Sequence, residues 1–398
     1  MKEKIFDLII QGGTVIDPGE GLNSKIDIAI KDGCIVNIQP NISSIKAKQS
    51  IDVTDKIVTP GLIDFHTHVY WGSTELGVEP NWVAAKSGSS TLVDAGSSGA
   101  STFSGFRKFI IDSALCNIYA FLNISTIGIA TLRVGECENL KYCNVETAVR
   151  TIEENRDKIV GIKVRASGGN CGLSGITPLD LGRAVAERVN LPMMVHIADS
   201  GLGARGLTSP ILYEVLERMR PGDILTHSFT GSNMKIIDEK GNLRPEFKHA
   251  LDKGIIIDIG HGTAGFSKIV AQKALAHDIY PDIISTDIHI ENAWGPVFDL
   301  PTTLSKFLAF GMTLDEVVLR ATKNPAVAIK KEDELGKVKV GNSADLGIFK
   351  LEKGNFEFKD SYGEIISGTQ KLIPVMTICK GKVLEKSIQQ KPDRIPWH

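Results

Sequence analysis

The 398-residue sequence predicts an α/β fold, a (β/α)8 TIM barrel with a small β-sandwich-like domain built from both chain termini. Three observations predict it. Eight short β-rich runs recur at roughly 30-residue intervals through the middle of the chain, with helix-like segments between them, as when ~250 residues are shared among eight units. Turn-punctuated β-rich stretches lie at both ends. Histidines and acids gather where the central runs finish, which is where a barrel of this kind carries its chemistry.

Taken in order, the first stretch reads as short strands broken by turns. DLIIQGGTVID has a Gly-Gly pair between two apolar runs, and IDIAIKDGCIVNI places Asp32-Gly33 between two more, a hairpin signal. The C-terminal end is alike, with KVKVGNSADLGIFKLE followed by LIPVMTICKGKVLE and its Lys380-Gly381 turn. The expected division is therefore a composite β-domain of residues 1–58 plus 336–390 around a barrel of residues 59–335.

The eight barrel runs are LIDFHTH, TLVDAGS, YAFLNIST, VGIKVRAS, MMVHIADS, DILTHSFT, IIIDIGHG and IISTDIHI. Alternation of such runs with amphipathic segments argues βα units and a parallel sheet. TPLDLGRAVAERVN and PILYEVLERMR are two of the intervening helices, the second stopped by Pro221-Gly222.

Composition narrows the partner. Hydrophobic residues make up 42% and charged residues 23%, the balance of a globular protein with a large core. A net charge of −2 gives no footprint for nucleic acid and no attraction to an anionic membrane. No apolar run approaches the ~20 residues of a bilayer span. MKEKIFDLIIQGG runs into a glycine turn without the apolar core of a secretory leader. The six cysteines form no C-x-x-C pair, which argues against a disulfide framework or a Cys-rich zinc knuckle. The expectation is a cytoplasmic protein acting on a small molecule.

His66 and His68 end the first run, Lys163 sits late in the fourth and His196 ends the fifth. His227 ends the sixth, His261 follows the seventh, and Asp287 ends the eighth. Side chains two apart on a strand share a face, so His66 and His68 can grip one ion. Imidazole nitrogens with an oxygen ligand suit Zn²⁺. Alone, a His-x-His pair reads equally well as two satisfied strand histidines. Lys163 is the odd member, because an inward ammonium repels a dication. Burial lowers its pKa and frees a neutral amine, which can take up CO₂ to give an anionic carbamate shaped to bridge two metals. The competing use of such a lysine is to pair an acid or to snorkel to the rim.

DFHTH after a Pro-Gly turn, GIKVR, VHIAD, ILTHS and ISTDIH together resemble the amidohydrolase superfamily in its binuclear, carboxylated-lysine branch. With GDILTH and DLPTTLSKFLAFGM, the chain looks closest to the amidohydrolase/deacetylase metallohydrolases, some of which carry adenine deaminase or dihydroorotase labels. The resemblance spans essentially the whole chain. It implies two divalent metal ions, Zn²⁺ first among them. His66, His68 and Asp287 would hold one, His196 and His227 the other, with carboxylated Lys163 between. It also implies hydrolysis by a metal-bridging hydroxide, with Asp287 as the catalytic proton carrier, and leaves room for a homo-oligomer.

Arg165, two residues after Lys163, faces the same side and could clamp a substrate carboxylate or form a rim ion pair. His261 and His289 reach the mouth as substrate contacts or as orienting groups, and Tyr70 and Trp71 offer an apolar wall or loop packing. The Gly-rich segments 167–175 and 199–206 could cradle an anion or simply turn. Where dihydroorotases carry an arginine two residues after the second histidine, this chain has Tyr70. Where mononuclear deaminases carry a glutamate three residues after the fifth-run histidine, it has Asp199. The expected activity is deacylation of a small N-acyl or O-acyl carboxylic acid. The alternatives are a cyclic-amide hydrolase or nucleobase deaminase on the same barrel, and a metal-free scaffold that has lost catalysis.

Overall fold

The computed structural model describes residues 5–132, 134–198 and 210–386. Seven parallel strands curl into one sheet in chain order: β1 (Leu62–Thr67), β2 (Ser89–Gly99), β3 (Asn117–Asn123), β4 (Ile159–Arg165), β5 (Met193–His196), β6 (Ile224–Thr226) and β7 (Ile256–Asp258). Each overlaps one of the first seven predicted runs. β1 and β2 are buried along their whole length, as a strand covered on both faces must be. Phe65, Val93, Phe121, Met194, Ile224 and Ile283 fill the barrel interior below the site. The two predicted helices form as Thr177–Val189 and Leu212–Arg218. No helix among the described residues is long and apolar enough to cross a membrane.

The eighth run forms no ladder strand. Single parallel bridges hold it, Ile283 to Asp258 and Ile288 to Thr67, and they tie β7 to β1. The cause is local. Asp287 has a φ of +50°, which takes the chain out of the extended region. Just before it, the Thr286 amide and hydroxyl donate to the two carboxylate oxygens of Asp64 at 3.1 and 2.6 Å. Side-chain bonds replace ladder bonds here, and the barrel closes through them.

The terminal strands build two sheets. One has four strands, in the order Cys34–Gln39, Asp27–Lys31, Phe6–Gln11 and Ala47–Asp52. The other has six, in the order Lys382–Val383, Ile365–Cys379, Leu346–Lys359, Ile57–Pro60, Thr14–Asp17 and Leu22–Lys25. Strands from both ends of the chain thus share a sheet. Ile10, Val15, Ile28, Val58, Leu346 and Ile378 fill the space between the two. Asp32-Gly33 and Lys380-Gly381 sit at the predicted turns. The Gly12-Gly13 pair instead carries the chain from the four-stranded sheet to the six-stranded one. Residues 387–390, at the expected end of the small domain, lie outside the described residues.

The long hairpin Leu346–Lys359 and Ile365–Cys379 runs on past its sheet, and Phe358, Ile366 and Leu372 join the apolar core outside the barrel. At its near end Phe349 is fully buried in that core, tight against Gly88, where a Cβ would fall 2.3 Å from the ring. Removing the ring leaves a cavity at the junction. Phe349→Ala is expected to cost about 3–5 kcal/mol, read as a lowered urea midpoint.

Candidate metal centre

At the C-terminal ends of the strands a funnel encloses about 580 Å³, its open mouth included. Its floor carries His66, His68, Lys163, His196, His227 and Asp287. Strand register aligns them: Lys163 pairs with Met194, and Arg165, His196 and Thr226 follow one another across β4, β5 and β6. Gly96 makes room beneath, since a Cβ there would lie 2.7 Å from the Cβ and Cγ of Lys163.

Hydrogen bonds settle which nitrogen His66, His196 and His227 present as a lone pair. The Thr226 hydroxyl donates to Asp258 at 2.6 Å, so His66 Nδ1, 2.8 Å from the same oxygen, must donate to it. That leaves His66 Nε2 as a lone pair. His227 Nδ1 donates to the Gly260 carbonyl at 2.6 Å, and its buried Nε2 has no hydrogen-bond partner. His196 Nε2 is bonded to the Ala198 carbonyl at 2.5 Å, which leaves Nδ1 as its lone-pair nitrogen. His68 Nδ1 pairs with Ser97 Oγ at 2.8 Å. Burial, the dominant cause, keeps these rings neutral, holding His68 down at about 3, His227 at about 4, and His66 and His196 well below the usual imidazole value.

Asp287 Oδ1 sits 3.4 Å from His66 Nε2 and 3.1 Å from His68 Nε2, with no hydrogen bond of its own. The His66 electron pair, the neutral ring of His68 and a carboxylate therefore converge, and their ligand atoms lie within 4.8 Å of one another. A cation satisfies that arrangement, and nitrogen and oxygen donors of this kind suit a divalent metal. Lys163 is fully buried. Among the described residues its Nζ meets His66 Nε2 at 3.4 Å and Met194 Sδ at 3.2 Å and forms no ion pair. Burial brings its pKa down to about 7.

The other predicted contacts divide. Arg165 borders the funnel and is held by Glu136, whose two oxygens lie 3.2 and 3.4 Å from one Nη1. His289 also borders it, 6.4 Å from His68 between ring centres. His261 does not reach it: its Nε2 meets Lys306 Nζ at 2.7 Å and its ring packs on Phe266. Tyr70 turns away too, its ring 4.6 Å from Phe106 and its hydroxyl 3.3 Å from the Thr102 carbonyl. Trp71 is half exposed. The 167–175 segment folds into the short helical turns Gly168–Cys171 and Gly172–Ser174 and does not line the funnel. The 199–206 segment, with Asp199, lies outside the described residues.

Sequence reading missed the groups that aim the ligand types, Thr226, Ser97 and Asp258, and the partner of Arg165, Glu136. One signal was there for the acids. Asp64, Asp94 and Asp258 each interrupt an apolar strand run, and all three are buried.

The profile of the Amidohydrolase family matches residues 57–384. The chain belongs to the amidohydrolase family. This amidohydrolase is 38% identical over 351 residues to Deacetylase Atu3266 of Agrobacterium fabrum, a span of 87% of this chain and 84% of the relative. A crystal structure described as an adenine deaminase superposes with a TM-score of 0.86 at 32% identity, covering 95% of this chain and 99% of the other. One described as a dihydroorotase gives 0.85 at 34%, covering 94% and 98%. Both confirm the amidohydrolase barrel with its small β-domain.

Because Thr226 and Ser97 fix which nitrogens face the centre, their loss is expected to weaken metal retention without removing a donor. Thr226→Val and Ser97→Ala should each cost about 10- to 100-fold in metal affinity, measured by chelator competition.

Proposed function

We propose that this amidohydrolase is a binuclear metal-dependent deacylase that hydrolyses the amide or ester bond of a small N-acyl or O-acyl carboxylic acid. The observation that carries the reading is the convergence of unprotonated donors around a desolvated lysine at the floor of the funnel. His66, His68 and Asp287 would hold one divalent ion, Zn²⁺ being the first candidate, and His196 and His227 the second. Lys163 would stand between them as a carbamate. Its amine lone pair forms an N–C bond to CO₂ and one N–H proton leaves to water, turning a repelling cation into a bridging anion. When bound, the ions supply Lewis acidity, acidifying water and drawing charge from the acyl carbonyl.

Asp287 then handles the proton. It accepts one from the attacking water as the O–C bond forms and returns it to the leaving nitrogen or oxygen as the old acyl bond breaks. Its left-handed backbone aims the carboxylate at both histidines. Arg165 would receive the carboxylate. Glu136 occupies only Nη1 among the described residues, so the remaining guanidinium donors can take a planar anion. The funnel opens to solvent above the floor, which gives a small molecule a way to the donors. The relative named a deacetylase supports this reading over the cyclic-amide and nucleobase alternatives, which rest on the neighbours described as a dihydroorotase and an adenine deaminase. All six cysteines are free thiols, which supports residence in the reducing cytoplasm.

Turnover of acylated amino and hydroxy acids, set beside cyclic amides and nucleobases, tests the substrate class. Lys163→Ala is expected to lose most of its metal and nearly all activity, as read by elemental analysis and initial rates. Two metals and full turnover in that variant would contradict the bridging role. Removing Arg165 alone strands the buried Glu136 charge, so the informative variant is Arg165→Gln/Glu136→Gln. It should raise KM about 10- to 100-fold for acylated acids and leave their neutral methyl esters unchanged.

A further inference from the structure

We propose that Ser361 and Tyr362, at the tip of the small domain's long hairpin, are positioning residues that fix one wall of the funnel and set how large an acyl group it admits. The wall is the loop after β7. Thr263, Ala264 and Gly265 line the funnel, and the loop backbone presses on two of the proposed ligands. A Cβ at Gly262 would fall 2.3 Å from Asp287 Oδ2, and one at Gly265 would fall 2.3 Å from His227 Nδ1. At these two glycines no side chain separates the loop from the proposed ligands, so its backbone position sets the funnel's dimension there.

The barrel pins the two ends of the loop, where Gly260 N bonds to Ser285 Oγ, His261 N to Ser285 O and Ser267 N to Phe229 O. Gly262 N bonds to Thr286 O and Gly265 N to His261 O, while Thr230 Oγ1 donates to Ala264 O. A second set of anchors comes from a segment about 100 residues downstream. Ser361 Oγ lies 3.0 Å from the His261 carbonyl and 3.1 Å from that of Gly262, and it accepts from Phe266 N at 3.2 Å. Ser361 N donates to Phe266 O at 3.0 Å. The Tyr362 hydroxyl donates to Ala264 O at 2.9 Å and accepts from Gly231 N at 3.0 Å. Tyr362 is half exposed, so its ring is not there to fill a core. The tip itself is rigid, because Asp360 accepts from the amides of Tyr362 and Glu364 with one oxygen and from that of Lys268 with the other. Two residues of the small domain thereby grip both ends and the middle of an active-site loop.

The acyl-size part rests on the deacylase reading; the loop-positioning part does not. Tyr362→Phe removes the hydroxyl bonds and keeps the ring, Ser361→Ala removes the hydroxyl clamp, and Ser361→Thr restores a hydroxyl. Hydrogen exchange on the full chain is expected to quicken at Gly262, Gly265 and Phe266 by roughly fivefold or more in the first two variants, with β3 amides unchanged. With acylated acids of increasing acyl length, the same variants should shift kcat/KM toward the longer chains, chiefly through KM, and Ser361→Thr should return it toward wild type. Loop protection equal to wild type, or a uniform loss across acyl lengths that tracks the melting temperature, overturns the proposal. If the wild-type enzyme turns over no acylated acid, the deacylase reading fails, and the exchange experiment still decides the positioning role.

Discussion

The structure depends on keeping one amine away from water and away from acids. Lys163 is fully buried, and among the described residues its Nζ bonds to an imidazole nitrogen and a thioether. Among the described residues an ammonium there has neither solvent nor an ion-pair partner, and burial outweighs the attraction of Asp287 and Asp258 and brings the pKa to about 7. Had either acid formed an ion pair with it, Lys163 would be a structural cation and the donors around it would have no use for another. The strand register that places Met194 beside it, and the missing side chain at Gly96, are therefore part of the chemistry.

The acids of the floor are diverted into a different task. Asp258 takes hydroxyl hydrogen bonds from Thr226 and Ser285, and Asp64 takes the amide and hydroxyl of Thr286. Asp94 accepts from the amides of Val69 and Ser97. Burial raises all three, to about 6 for Asp258 and about 7 for Asp64, while those bonds pull the other way. Each acid ends a hydrogen-bond chain that begins at, or next to, a proposed ligand. The chain from His66 through Thr226 to Asp258 shows the consequence: a carboxylate two groups away decides which imidazole nitrogen is free.

The barrel and the ligand types were legible in the sequence because both follow strand periodicity. His66 and His68 declare a common face by their spacing, and Lys163 and Arg165 do the same. Tyr70 and His261 were left between substrate contact and a packing or orienting role because periodicity ends with the strand. Past Thr67 and Asp258 the chain follows loop geometry, where contacts with Phe106 and Lys306 settle the outcome. Glu136 lay beyond reach for a related reason. It sits in a long loop after β3, and nothing local marks it as the partner of a residue 29 positions on.

The eighth segment shows local regularity and function pulling in opposite directions. A ladder strand there would close the barrel with more backbone bonds, yet it would hold residue 287 in extended conformation. The observed φ of +50° turns Asp287 so that one oxygen approaches both His66 and His68. Asp64, on the facing strand, recovers part of the lost bonding through Thr286, and the two end bridges keep the barrel shut. A left-handed non-glycine residue is costly by roughly 1–3 kcal/mol, so the surroundings must over-determine it. They do so from two sides: Asn292 donates to the Asp287 carbonyl at 2.7 Å, and the missing side chain of Gly262 makes the space that the carboxylate occupies. The sequence signature of this site is therefore the break in its last strand as much as the histidines on the others.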